Sequence, residues 1–207
     1  MAERSDLPPL WVLRHGETTW NAQNRLQGRL DSPLTPLGVA QAEAQGRILR
    51  AADIPVDATV RVSPAGRARR TADIALAGLC WPVTVDPDLA EVGLGDWQGS
   101  TRDAIRVAHP GIDFESDRHM WKFRGPGCEP LSHMVTRVGR VLRGLSGPTV
   151  IVTHGVTSRV LRALALGMAP ERLSDLPGGQ GVVHHVADGR ARLLCLESEK
   201  ARQQKGD

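Results

Sequence analysis

Three observations predict an α/β fold built on a mixed, mainly parallel sheet. Short β-branched or apolar runs alternate with longer segments of helical composition, the order that parallel sheets with covering helices produce. Two of those runs, LWVL at 10–13 and TVIV at 149–152, are almost wholly apolar, as strands covered on both faces are. The last two runs flank Asp188-Gly189, a hairpin turn signal that demands an antiparallel pair and so makes the sheet mixed.

The elements follow in order. The first strand, 10–13, stops at Arg14-His15-Gly16, and a polar stretch runs to Ser32. Thr35-Pro36 reads as a helix N-cap followed by proline at the first helical position. The Ala-, Gln-, Glu- and Leu-rich segment behind it predicts a helix to about residue 52. Residues 58–62 alternate and are β-branched, a second strand that runs into Ser63-Pro64. A helix is expected from there to about residue 79, then a short strand at 83–85. Pro87, Gly93, Gly95 and Gly99 make 86–99 a loop, and 100–108 reads as a helix. Residues 109–130 hold three prolines and three glycines; a loop of this length reads as a lid-like insertion. An amphipathic helix is expected over 131–145. The strand at 149–152 ends at Thr153-His154-Gly155, and a helix follows from about 157 to 166. Strands at 182–186 and 191–196 close the chain, with a charged, frayed tail at 198–207. No linker composition interrupts the 207 residues, so one domain, 1–207, is expected.

Composition narrows the function classes. The chain is 41% hydrophobic with five Trp, two Phe and no Tyr, so aliphatic residues carry the core. The net charge of +3 is small. It suits an anionic ligand, but the arginines are scattered and no platform of aromatics exists for base stacking, so no nucleic-acid partner is expected. No apolar run reaches the ~18 residues of a membrane span, and residues 1–6 lack a signal-peptide core. Cys80, Cys128 and Cys195 are widely separated, as unpaired thiols of a reducing compartment are. A cytoplasmic protein without membrane attachment is expected.

The chemistry concentrates where strands stop. At Leu13-Arg14-His15-Gly16 and again at Val152-Thr153-His154-Gly155 an apolar strand ends in histidine and glycine. Parallel sheets bind ligands at the carboxyl ends of their strands, and glycine there lets backbone approach a ligand. A third corner, Ser63-Pro64-Ala65-Gly66-Arg67, delivers an arginine to the same rim. Two imidazoles and the forks of Arg14 and Arg67 suit a phosphate dianion. On spacing alone, structural histidines explain the two corners equally well.

The longer motifs decide between them. Residues 13–21, LRHGETTWN, resemble the signature of the histidine phosphatase superfamily, the phosphoglycerate-mutase-like proteins. Arg25-Leu26-Gln27-Gly28 and Asp31-Ser32-Pro33-Leu34-Thr35 follow that family's first loop. Ser63-Pro64 with Arg67-Ala68 and Thr71-Ala72 resembles its second motif. Leu89-Ala90-Glu91 with Gly95-Asp96-Trp97-Gln98-Gly99 resembles its third, and Thr153-His154-Gly155 its last. The resemblance covers about residues 10–160, with every motif in family order.

The resemblance implies a three-layer α/β/α sandwich and a metal-independent phosphomonoesterase without cofactor, acting on a small phosphorylated metabolite. By position, His15 is the nucleophile that becomes phosphohistidine. Arg14, Arg67 and His154 form the phosphate pocket. Asn21, Gln27 and Gly155 contact substrate, and Glu91 is the general acid and base. Relatives often form homodimers, so a homodimer is compatible with the resemblance. The Gly-Asp-Trp-Gln-Gly loop is similar to that of the phosphatase branch, which includes α-ribazole and broad-specificity phosphatases. A phosphoglycerate mutase or a non-catalytic phospho-ligand binder is the alternative. The chain departs from the family at Gln98, where many relatives have Glu, and at Cys128-Glu129-Pro130, where they have Gly-Glu-Ser.

Imidazole attacks only when neutral, and neighbouring arginines should lower its pKa from ~6.5. Burial or a bound dianion should raise Glu91 to a useful acid strength. His184 and His185 are adjacent in a strand, face opposite ways and cannot share a metal. His109, His119 and His133 are assigned to the surface or the lid, and Arg69-Arg70 to solvent. Within the lid, Trp121, Lys122 and Arg124 are placed to meet the leaving group.

Overall fold

The computed structural model describes residues 7–114 and 119–196; the expected frayed tail lies outside them. Six strands form one sheet: β1 (Leu10–Arg14), β2 (Thr59–Val62), β3 (Val83–Val85), β4 (Thr149–Thr153), β5 (Val183–Ala187) and β6 (Arg190–Leu194), in the order β3-β2-β4-β1-β5-β6. Strands β3, β2, β4 and β1 are parallel; β5 and β6 are antiparallel to their neighbours. Asp188 (φ 50°) and Gly189 (φ 67°) join the last two, the double positive φ of a two-residue hairpin turn.

Among the described residues, six α-helices accompany the sheet: α1 (Thr19–Ala22), α2 (Pro36–Ala51), α3 (Gly66–Ala75), α4 (Arg102–Ala108), α5 (Leu131–Arg143) and α6 (Gly155–Ala165). Strand alternation sorts the core into two layers. Leu10 and Val12 of β1 and Ile151 of β4 pack with Val138 and Val141 of α5 and Val160 and Leu161 of α6. Trp11, Leu13, Val150 and Val152 point the other way, onto Ile48 and Leu49 of α2 and Ala68 and Ala72 of α3. This is the expected three-layer sandwich. Among the described residues, no helix is long and apolar enough to cross a membrane.

Caps set the helix starts. Thr35 Oγ1 accepts from Gly38 N–H at 3.0 Å ahead of α2, and Thr101 Oγ1 from Ala104 N–H at 3.2 Å ahead of α4. Three details differ from the sequence expectation. The polar stretch after β1 contains the short helix α1, closed by a reciprocal Thr18–Asn21 cap. Helix α6 begins at Gly155, two residues earlier than composition indicated. The lid segment is anchored, with Trp121 and Phe114 buried in the α5–α6 core layer.

Candidate active site

Strands β1 and β4 are neighbours, and Arg14 pairs in register with Thr153. The residues that follow, His15 and His154, therefore leave the sheet side by side. Their rings meet edge to face with centroids 5.2 Å apart. Both are buried.

The hydrogen bonds of His15 define its tautomer. Nδ1 lies 2.7 Å from the carbonyl oxygen of Gly16, which can only accept, so Nδ1 carries the proton. Nε2 accepts from Arg67 Nε–H at 3.3 Å. A neutral ring thus turns its lone pair toward the guanidinium. Burial lowers the His15 pKa well below the usual 6.5, and His154, Arg14 and Arg67 add to this.

His154 is fully buried. Its Nε2 is 2.6 Å from Ser63 Oγ, and its buried Nδ1 has no partner. Ser63 Oγ also accepts from Ala65 N–H at 3.4 Å, so its own hydrogen can go to Nε2 and leave the His154 proton on Nδ1. Burial, then Arg67 and Arg14, holds this imidazole well below its usual range. Arg14 Nε is likewise buried and unpartnered. Buried donors are rarely left orphaned; Arg14 lines the cavity at His15, and the His154 ring packs against that of His15.

Arg67 differs from the expected free fork. Nη1 donates to Leu30 O at 2.6 Å and to Asp31 Oδ1 at 2.9 Å, and Nη2 to Gly28 O at 2.9 Å. Most of its donors hold the 28–31 loop, Nε–H is given to His15 Nε2, and one Nη2 hydrogen remains for a ligand. Gln27 is similar: Nε2 donates to Thr18 Oγ1 at 2.9 Å, and Oε1 accepts from Ser32 at 3.1 Å. It builds the wall and keeps at most one hydrogen for substrate. The Oδ1 of Asn21 caps Thr18 N–H at 3.2 Å, so its amide nitrogen is what it offers.

Glu91 sits on the first turn of α6. One carboxylate oxygen accepts from Val92 N–H (3.1 Å), Thr157 N–H (3.1 Å) and Thr157 Oγ1 (2.9 Å); the other accepts from Val156 N–H at 3.2 Å. Burial pushes this carboxyl up. The Lys122 ammonium and the backbone donors outweigh burial, so the net shift is downward. This corrects the expectation that burial raises it: the early start of α6 aims N–H groups at the carboxylate. Glu91 is therefore ionised at neutral pH.

Lys122 and His119 face Glu91 from the lid. Burial lowers the Lys122 pKa to about 8 against the opposing pull of Glu91, and Arg14, Arg159 and Arg102 lower it further. Its Nζ donates to His119 Nδ1 at 3.3 Å. His119 is a half-buried lid residue, and burial first, then Lys122, lowers its pKa to about 3.

The inner cavity, about 120 Å³, is lined by His15, Arg14, Arg67, Glu91, Asn21, Gln27, Lys122 and their neighbours. His154 packs against His15. An outer chamber of about 600 Å³ adjoins it, sharing Arg14, Asn21, Arg25 and Leu26. The donor set of imidazole, guanidinium and ammonium suits an oxyanion. Among the described residues no three His, Cys, Asp or Glu side chains gather as a metal site.

A family model described as histidine phosphatase superfamily, branch 1, matches residues 10–196. The chain belongs to that superfamily. It is 36% identical over 186 residues to a glucosyl-3-phosphoglycerate phosphatase of Mycolicibacterium vanbaalenii, covering 83% of this chain and 80% of the relative. It is 33% identical over 164 residues to a probable phosphoglycerate mutase of Erwinia tasmaniensis, covering 77% and 75%. The crystal structure of the α-ribazole phosphatase from Shigella flexneri superposes with a TM-score of 0.75 at 26% identity, over 91% of this chain and 95% of that one.

Within the superfamily frame, the structure gathers His15, Arg14, Arg67 and Glu91 around one cavity, with His154 against His15. Gly155 opens α6, and a Cβ there would lie 3.5 Å from the Arg14 guanidinium, an ordinary contact. Gly16 serves packing rather than ligand approach: a Cβ would fall 2.2 Å from the Gly38 carbonyl oxygen, where α2 crosses the corner. Trp121 is core, and Arg124 is exposed. Sequence reasoning missed Gln180, whose Nε2 donates to His15 O at 2.9 Å and reaches Asn21 Oδ1 at 3.4 Å. Its signal was a glutamine between glycines that take positive φ, Gly179 (125°) and Gly181 (79°).

Proposed function

We propose that the protein hydrolyses a small phosphomonoester through a phosphohistidine at Nε2 of His15. The observation that carries the reading is the His15 tautomer: Nδ1–H is bound by the Gly16 carbonyl, so Nε2 is unprotonated and, in the cavity wall, holds its lone pair in a long 3.3 Å hydrogen bond from Arg67 Nε–H that an incoming phosphoryl group displaces. Arg14, Arg67 and His154 bind the phosphate oxygens and offset the charge that builds on them.

As the dianion enters, its charge opposes the cations around Glu91, and the carboxyl takes up a proton. Nε2 attacks phosphorus, the bond to the leaving oxygen breaks, and Glu91 protonates that oxygen. Water then attacks the phosphohistidine and gives its proton to Glu91. The P–N bond breaks, inorganic phosphate leaves, and His15 returns neutral.

Relatives named as phosphatases and as probable mutases both exist. Hydrolysis is favoured by the outer chamber, whose rim residues Arg102, Asp103 and Arg106 are exposed to solvent; a mutase must keep water from its phosphoenzyme. The three described cysteines are free thiols, which supports a cytoplasmic setting. The test is release of phosphate from p-nitrophenyl phosphate by wild type and His15→Ala without added metal, beside phosphoglycerate isomer exchange with a bisphosphate primer. Equal turnover by the two proteins sinks the proposal, and exchange outpacing hydrolysis replaces it with the mutase reading.

A further inference from the structure

The peptide unit between His15 and Gly16 decides how the imidazole stands, and it is held at both ends. Gly16 N–H donates to Thr71 Oγ1 at 3.0 Å, and the His15 carbonyl oxygen accepts from Gln180 Nε2 at 2.9 Å. Because a peptide unit is planar, these two bonds fix its plane. The next carbonyl, that of Gly16, hangs from this plane and binds Nδ1–H of the ring at 2.7 Å. A tilt of the plane about Thr71 therefore moves the ring and the aim of Nε2.

The sheet does not supply the bond that Gln180 makes. Pairing of β1 with β5 stops at Leu13 opposite Val183. Beyond that point side-chain amides take over. Gln45 Nε2 donates to Arg14 O at 2.9 Å and to Val182 O at 3.0 Å, and Gln180 serves the following residue of β1's extension, His15. On the other edge His15 N–H still donates to Thr153 O at 2.9 Å.

The loop that carries Gln180 is itself anchored. Arg159 Nε donates to Leu176 O at 3.1 Å, and Arg162 Nη2 to Pro177 O at 2.7 Å. Arg162 is buried, and its Nη1 donates to Nδ1 of the buried His184 at 3.2 Å. Both arginines belong to α6, the helix that starts directly after His154. The loop between α6 and β5 thus presents the Gln180 amide to His15 from a fixed base.

We infer that Gln180 is a positioning residue for the nucleophile: its amide holds the His15 backbone so that Nε2 lies in line with a bound phosphoryl group. This rests on the phosphatase reading. In-line attack is sensitive to placement, and a shift of about 1 Å costs roughly 10²-fold in rate. Binding of phosphate is less exacting, because Asn21 keeps its Oδ1 bond to Thr18 N–H without Gln180. Stability is also little affected. Gln180 is half-buried and borders the outer chamber, so solvent replaces the lost donor.

The experiment compares Gln180→Met, which keeps the length of the side chain and removes the donor, with Gln180→Lys, which restores a donor. For each protein the single-turnover rate of p-nitrophenolate release from p-nitrophenyl phosphate, the inhibition constant of inorganic phosphate and the melting midpoint are measured. Gln180→Met is expected to slow release about tenfold or more while the phosphate constant stays within about threefold. Its melting midpoint is expected to stay within a few degrees of wild type. Gln180→Lys is expected to release nitrophenolate at least about threefold faster than Gln180→Met. Slowing of less than about threefold in Gln180→Met overturns the inference. Phosphate binding that weakens in parallel with the rate overturns it too and makes Gln180 a ligand contact. Equal rates in the two variants, or a Gln180→Met chain that does not fold, overturn it by leaving Gln180 a structural residue. Absence of nitrophenolate release by wild type would instead refute the phosphatase reading, and this inference with it.

Discussion

Glu91→Gln separates proton transfer from binding. The carboxylate accepts four hydrogen bonds, from Val92 N–H, Thr157 N–H, Thr157 Oγ1 and Val156 N–H, at 2.9–3.2 Å. Glutamine keeps the shape but turns one oxygen into a donor that must face an N–H group. Losing one charge-assisted bond costs ~1.5–3 kcal/mol, and at ~2–4 °C per kcal/mol for a chain of this size the melting midpoint falls by roughly 3–12 °C. The catalytic loss is larger and depends on the leaving group. General acid catalysis contributes ~10²–10⁴-fold, about 2.7–5.4 kcal/mol at 1.36 kcal/mol per decade. On an alkyl phosphate kcat should fall by that factor. On p-nitrophenyl phosphate, whose phenolate leaves unaided, the fall should stay within about tenfold. The assay is kcat for both substrates at one temperature below both melting transitions. Equal losses on the two would refute general acid catalysis and leave Glu91 a structural cap of α6.

Other perturbations probe the surroundings. Gly16→Ala forces a Cβ to 2.2 Å from the Gly38 carbonyl oxygen and should cost about 3 kcal/mol or more; Gly155→Ala, with its 3.5 Å contact, should melt near wild type in the same thermal scan. Lys122 loses its charge as pH rises through about 8, so kcat/KM should fall above that pH, and Lys122→Arg should move the limb upward; an unmoved limb assigns it elsewhere. Because His15 and His154 are held well below 6.5, the unfolded chain binds protons that the folded one refuses. Stability that these two rings leave intact above about 6.5 should therefore drain away as pH falls below it. NMR titration of His15 Cε1 with a midpoint at or above 6.5 would contradict this.

What the sequence made legible follows from local rules. Strand ends, caps and the Asp188-Gly189 turn are written within a few residues, and the ordered motifs named His15, Arg14, Arg67, Glu91 and His154. Three-dimensional neighbours were less accessible. That Arg67 Nη1 and Nη2 hold Leu30, Asp31 and Gly28 depends on a loop 37 residues away folding over α3. The downward shift of Glu91 needed the start of α6 at Gly155, and composition blurred that boundary because His154 is an N-cap without a side-chain bond to the helix. Lys122 was singled out only as one of three lid candidates. Its distinction from Trp121 and Arg124 is a matter of which side of a 3-10 turn (Met120–Phe123) each occupies. The Gly16–Gly38 contact joins two backbones, a crossing that no side-chain pattern announces.

The central claim is that phosphate passes through His15. Brief incubation with ³²P-labelled substrate, an alkaline quench and peptide mapping tests it most directly. The account predicts an alkali-stable, acid-labile label at Nε2 of His15 in wild type, accumulating when Glu91→Gln slows release. Label on any other residue, or none under single-turnover conditions while product forms, would contradict it.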